Sequence, residues 1–89
     1  MNDVWNALAD PARRHILTLL KKGDLNAGEI ASHFDMTKPS ISHHLNLLKQ
    51  AGLVTARRSG QNVIYSLNLS VFEELLQLIS DFTDRKEEP

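Results

Sequence analysis

The sequence of 89 residues contains no cysteine, so disulfides, thiolate metal sites and cysteine nucleophiles are excluded. Aromatic residues make up only 6% of the chain, and no apolar run approaches the roughly 20 residues that cross a bilayer. The opening residues also lack the basic segment of a secretory signal peptide. We therefore predict one small domain over residues 1–89, located in the cytoplasm. Its core would be thin enough for a partner subunit to be expected.

Charge of both signs is present, but it is distributed unevenly along the chain. The formal net charge is −1, yet residues 36–68 contain no acidic residue and residues 69–89 carry a formal charge of −4. The acid-free window has a formal charge of +4, from Lys38, Lys49, Arg57 and Arg58. Because phosphate responds to the local field rather than to the net charge, this window predicts a nucleic-acid-binding surface.

Hydrophobic periodicity, caps and breakers predict five helices and one hairpin. The helices are expected at 3–8, from Pro11 to Gly23 after an Asp10 cap, from Asn26 to Phe34, from a Thr37 cap to Ala51, and after Asn68 or Ser70. Segments 53–58 and 63–67 alternate in polarity around a glycine-containing loop, as hairpin strands do. The predicted fold is mainly α with a small β-hairpin: a winged helix-turn-helix whose wing has two or three strands.

The order of these elements predicts DNA binding. A short helix, a tight turn and a longer helix form a helix-turn-helix, and the hairpin that follows is a wing. On the longer helix, Ile41, Leu45 and Leu48 form one apolar stripe that we expect in the core. The opposite face contains no carboxylate, as a surface that meets phosphates and base edges requires. An alternative is a winged helix that binds only protein, which the acid-free face disfavours.

Three segments of the chain resemble the ArsR-type repressor family. They are ALADPARRHIL at 7–17, KPSISHHLNLLKQAGLV at 38–54 and RRSGQNVIYSL at 57–67. Within that family the chain is most similar to the SdpR-type autorepressors. The resemblance implies a homodimer that represses transcription at a palindromic double-stranded DNA operator, with the fourth helix in the major groove. For the SdpR-type group it also implies a membrane protein that captures the repressor.

Helical geometry and the resemblance together assign two sets of site residues. The predicted DNA-binding residues are Thr37, Lys38, Pro39, Ser40, Ser42, His43, Asn46, Arg57, Arg58 and Gln61. Arg57 and Arg58 are adjacent on a strand and face opposite sides, which leaves open the choice between them. The predicted dimer interface, on the first and last helices, comprises Val4, Trp5, Leu8, Phe72, Leu75, Ile79 and Phe82.

Several residues outside these sets are assigned structural roles. We expect His44 to be packed or to act as a cap. Arg13 and Arg14 could touch DNA, but we expect at least one of them to form a salt bridge on the helix surface. The third helix has no cysteine and the last has no histidine, whereas metal-sensing members of the family bind their ions there. We therefore predict no metal, no cofactor and no small-molecule substrate. We interpret Glu73 and Glu74 as solvent-exposed charges. A serine and a histidine that are adjacent on a helix cannot adopt the geometry of a nucleophile and its base. We therefore predict no enzyme activity.

Overall fold

The computed structural model describes residues 2–83, which form a three-stranded antiparallel sheet and five helices. The elements are α1 (Asn2–Leu8), α2 (Pro11–Lys21), β1 (Leu25–Asn26), α3 (Ala27–Ala31), α4 (Lys38–Gln50), β2 (Val54–Ser59), β3 (Asn62–Leu67) and α5 (Leu69–Thr83). The order of the sheet is β1-β3-β2. This confirms the predicted winged helix-turn-helix.

Side-chain caps begin three of the helices. Asp10 accepts hydrogen bonds from the amides of the first turn of α2, the shorter at 2.7 Å. Asn26 and Glu29 form a reciprocal capping box at the start of α3, with both hydrogen bonds at 2.8 Å. Thr37 accepts from the Ser40 amide at 3.3 Å and so starts α4. All three caps were predicted, because each depends only on residues two or three positions away.

The wing is a regular hairpin extended by one short strand. Residues pair from Val54 opposite Leu67 to Ser59 opposite Asn62, and Gly60 takes a φ of 63° in the turn. The two residues of β1 pair with β3, which makes the third strand. Two residues are too few to produce a periodic pattern, so the sequence did not predict β1.

The core lies between α2, α3, α4 and the base of the hairpin. The stripe on α4 is buried as predicted, with Ile41, Leu45 and Leu48 at most 2% exposed. The largest side chains that are essentially inaccessible are Ile16, Ile30, Leu45, Leu48, Leu53 and Val54. Within residues 2–83, no helix is long and apolar enough to cross a membrane.

α5 packs on this core through little of its surface. Leu75 is the one buried residue among its 15, and it is 4% exposed. Two predicted interface residues, Leu75 and Val4, thus belong to the core of the subunit, where they cannot offer much area to a partner. Large apolar side chains on α1 and α5 remain exposed: Trp5, Leu69, Leu76, Ile79 and Phe82. The predicted charged tail from Asp84 onward lies outside the described residues.

Candidate nucleic-acid interface

The solvent side of α4 gathers most of the predicted DNA-binding residues on one surface. Burial of Ile41, Leu45 and Leu48 turns the opposite side of the helix outward. All six predicted α4 residues are exposed: Lys38, Pro39, Ser40, Ser42, His43 and Asn46. This set, which we call the α4 polar face, contains no carboxylate, and α4 itself contains none.

The N-terminal end of α4 suits an anion. Thr37 precedes the helix, and its hydroxyl lies 3.1 Å from that of Ser40. The helix dipole makes this end positive, and Lys38 adds a full charge there. A phosphate placed at this end would meet both hydroxyls and a lysine.

His43 and His44 point in different directions, although they are adjacent. His43 is exposed on the α4 polar face, whereas His44 is half-buried and contacts Arg13 of α2. This confirms the expected packed role of His44. The ring centroids lie 6.1 Å apart at an interplanar angle of 49°. In residues 2–83, no three His, Asp or Glu side chains are arranged to hold a metal ion.

The two wing arginines occupy opposite faces of the hairpin. Arg57 lies opposite Ile64, and its guanidinium donates to Asp24 at 3.3 Å and to Ser66 at 2.9 Å. Arg58 lies on the other face, which it shares with the buried Val54, and it is exposed. No side-chain hydrogen bond or ion pair involves Arg58 within the described part of the chain. Gln61 is exposed in the turn between β2 and β3.

Known proteins resemble this arrangement over most of the chain. A family profile described as "Bacterial regulatory protein, arsR family" matches residues 10–56, which is more than half of the sequence. The chain belongs to the ArsR family. It is 51% identical to the transcriptional repressor SdpR of Bacillus subtilis over 85 residues, covering 96% of this chain and 94% of that protein. It is also 34% identical to the arsenical resistance operon repressor of Staphylococcus aureus, covering 86% and 74% of the two chains.

Solved structures of ArsR-family regulators share the fold. One ArsR family transcriptional regulator superposes with a TM-score of 0.85 at 28% identity, covering 93% of this chain and 86% of that one. The structure of a possible transcriptional regulator for arsenical resistance superposes with a TM-score of 0.81 at 30% identity, covering 98% of this chain and 99% of that one. The ArsR-family chain is thus a DNA-binding transcriptional repressor, and its family and relatives are regulators rather than enzymes.

Asp24 is the residue near the wing that the sequence did not reveal. It lies in the loop between α2 and β1, outside the acid-free window, and the fold brings its carboxylate to Arg57, 33 positions later. The predicted window is free of acids along the chain, but the folded wing has a carboxylate on one side. A contact across such a distance leaves no local pattern in the sequence.

Among residues 2–83, neither Arg13 nor Arg14 forms the predicted surface salt bridge. Arg13 is buried, at 8% exposed, and donates to the carbonyl oxygens of Asn6 and Ala7. Arg14 donates to the carbonyl of Leu8 at 2.7 Å. The last carbonyls of a helix lack amide partners within the helix, and the two arginines donate to three of them, so both cap the C-terminal end of α1.

The carboxyl of Asp10 lies near Arg13. Burial alone would raise its pKa, but hydrogen bonds from two backbone amides and the positive charge of Arg13 outweigh burial. The net result is a pKa for Asp10 below its ordinary value. Its charged form therefore stabilises the start of α2.

Proposed function

We propose that this repressor binds a palindromic operator as a homodimer, with α4 of each subunit in a major groove. The observation that carries the proposal is the α4 polar face, which has no carboxylate and lies directly behind a buried apolar stripe. Groove entry favours such a helix, because carboxylates repel the phosphates on both sides of the groove. If the two helices enter successive major grooves, half-sites lie about 10 base pairs apart, or a multiple of that.

The α4 polar face and the Thr37 cap that precedes it contain two groups of residues that differ in chemistry. Thr37, Lys38 and Ser40 surround the positive end of α4 and would hold backbone phosphate. Ser42, His43 and Asn46 lie further along the helix, and their short polar side chains would meet base edges. Phosphate contacts position the protein, whereas base contacts select the sequence.

Arg58 is the wing residue that we assign to the DNA backbone. Its guanidinium has no intramolecular partner among residues 2–83, and so it would lose only water on binding phosphate. Arg57 would have to give up both Asp24 and Ser66. Those contacts support a role for Arg57 in anchoring the wing to the loop before β1.

The dimer would form through the apolar side of α5 together with Trp5 of α1. At 100° per residue, the apolar residues of α5 cover about half of its circumference. The side chains around Leu75 face the core, and those beyond them, Leu76 and Ile79, are 66% and 46% exposed. Leu8 and Phe72, partly buried against the core, border this surface. A second copy is the partner that we propose, because a two-fold symmetric pair matches a palindromic site.

Control of the repressor is proposed to act without metal, cofactor or small-molecule substrate, and without any catalytic step. The absence of cysteine from the whole chain and of histidine from residues 69–89 supports this. Binding to a chromosomal operator would locate the repressor in the cytoplasm. The similarity to SdpR-type autorepressors supports relief of repression by a membrane protein that captures the repressor.

Selection of operator from a randomised duplex library by the full chain tests this function. The selected sequence should have two-fold symmetry, and the repressor should bind it as a dimer in fluorescence anisotropy. Ser42→Ala and His43→Ala should weaken binding to the selected duplex more than to a scrambled one, whereas Arg58→Ala should weaken both equally. Failure to enrich any sequence, or equal losses on both duplexes for all three variants, would contradict the proposal.

A further inference from the structure

His44 is next to the α4 polar face but does not belong to it. Its side chain turns back toward the protein, where Nδ1 lies 3.2 Å from Nη1 of Arg13. The same guanidinium donates from Nε to the Ala7 carbonyl at 2.8 Å and from Nη2 to the Asn6 carbonyl at 3.0 Å. One buried cation on α2 therefore contacts both the end of α1 and the middle of α4.

The chemistry of Arg13 determines the direction of this hydrogen bond. A guanidinium has hydrogen-bond donors but no acceptor, so Arg13 donates and Nδ1 of His44 accepts. No carboxylate forms a salt bridge with Arg13 among residues 2–83. The buried guanidinium is hydrogen-bonded to two carbonyls and one imidazole nitrogen, and its charge also acts on the Asp10 carboxyl, whose pKa it lowers.

This hydrogen bond joins α4 to α2, and Arg13 extends the directional contact to the end of α1. Both α1 and α4 also contribute apolar side chains to the core, such as Val4, Ala7 and Leu48. Apolar burial is not directional and tolerates small rotations of one helix on another. A hydrogen bond weakens steeply when its angle changes, and so it restricts rotation of α4.

We propose that His44 and Arg13 are a positioning pair that fixes the orientation of α4 relative to α1. In the proposed homodimer, α1 lies at the subunit interface and α4 enters the DNA. The angle between them therefore sets the distance between the two major-groove helices. The pair would select the half-site spacing without touching DNA, and this inference rests on the proposed dimer.

A set of substitutions at His44 separates the hydrogen bond from simple packing. In His44→Asn, an amide oxygen is attached to Cγ as Nδ1 is, and it can still accept from Arg13. His44→Leu has nearly the shape of that asparagine but no acceptor. His44→Phe also lacks an acceptor and keeps a ring, so it serves if the leucine variant fails to fold. The control is His33→Leu, an exposed histidine outside the assigned site.

The assay uses fluorescein-labelled duplexes that carry the library-selected operator at its own half-site spacing, and at one base pair more and one fewer. The wild type, His44→Asn and His33→Leu should bind the natural spacing about tenfold more tightly than either altered spacing. His44→Leu and His44→Phe should lose about tenfold on the natural spacing, because a buried guanidinium donor is left without its acceptor. Their preference among the three spacings should nearly disappear.

Sedimentation and circular dichroism of each variant accompany the binding data. Leucine, phenylalanine and asparagine variants with the same spacing profile as the wild type would overturn the positioning role. An equal loss of operator affinity in His44→Asn and His44→Leu would also overturn the positioning role, because the effect would then come from packing and not from the hydrogen bond. A monomeric wild type or an asymmetric selected site would refute the proposed dimer as well. A dimer on a symmetric site with unchanged profiles refutes the positioning role alone.

Discussion

Leu75 and Leu76 are adjacent on α5, and substitution by alanine should affect a different property of the protein at each position. Leu75 is 4% exposed in the subunit core, whereas Leu76 is 66% exposed on the proposed dimer surface. Leu76→Ala should therefore weaken the dimer and leave the folded subunit nearly unchanged. Leu75→Ala should destabilise the subunit itself.

The expected loss for Leu76→Ala follows from the area that the dimer would bury. The substitution removes three carbons from a residue whose surface is about two thirds exposed in the subunit, and the dimer would bury that exposed part. At about 0.8 kcal/mol per buried carbon, this amounts to about 1.6 kcal/mol per subunit. A symmetric interface contains the residue twice, so the dissociation constant should rise roughly two hundredfold. Leu75→Ala should instead cost about 2–5 kcal/mol of folding free energy, because it leaves a cavity.

Sedimentation equilibrium measures the dissociation constant of the dimer. Thermal unfolding of dilute protein measures the stability of the separate subunit. For Leu75→Ala, Tm should fall by at least about 8 °C at every concentration. For Leu76→Ala, Tm in the dilute, dissociated limit should match the wild type, and the two should diverge only where the wild type dimerises. If Leu76→Ala dimerises within about threefold of the wild type, the assignment of this face to the interface is wrong.

Four other outcomes are expected. Operator affinity should fall about a thousandfold between 50 and 200 mM salt if about six phosphates are neutralised per dimer, and a flat response in anisotropy would contradict the assigned surface. Arg58→Ala should reduce the slope of log affinity against log salt by about one for each subunit, whereas Arg57→Ala should change it less, since Asp24 already pairs with Arg57. Asp10→Ala should cost about 1 kcal/mol in urea unfolding at pH 7. Because the pKa of Asp10 is lowered, that difference should persist above the ordinary value of 3.8 and shrink as the pH falls below it, and a constant difference down to pH 3 would refute this. Calorimetric titration with zinc, nickel, cobalt and copper should show no tight site, and an ion that weakens operator binding by about tenfold or more would refute metal-independent control.

Local chemistry made most of the fold predictable from the sequence. The caps at Asp10, Asn26 and Thr37 act within three residues, and the buried stripe of α4 recurs at the helical period. The α4 polar face follows from the same geometry, because burying one side of a helix determines which residues remain outside. The helix-turn-helix and most of its exposed face were therefore predictable without a structure.

Contacts between distant segments were not predictable in this way. The two residues of β1 become a strand only because β3 lies beside them. The apolar side of α5 was predicted, but its width exceeds what one core covers. Only the tertiary arrangement determines that Leu75 faces inward and Leu76 outward. The prediction from sequence therefore assigned Leu75 to the interface and left out Leu76, which we propose to lie there.

The arginines show how the fold changes a conclusion drawn from charge alone. Four arginines lie within residues 2–83, and three of them bond to protein groups: Arg13, Arg14 and Arg57. Of the four cations in the acid-free window, we propose that Arg58, Lys38 and Lys49 contact phosphate, since both lysines are exposed on α4 and Arg57 is paired with Asp24. Each subunit would then offer about three cations to DNA, and the proposed dimer about six. Because the salt slope reports the number of neutralised phosphates, it should match about six contacts rather than eight, which makes it a direct measure of how the fold distributes its arginines.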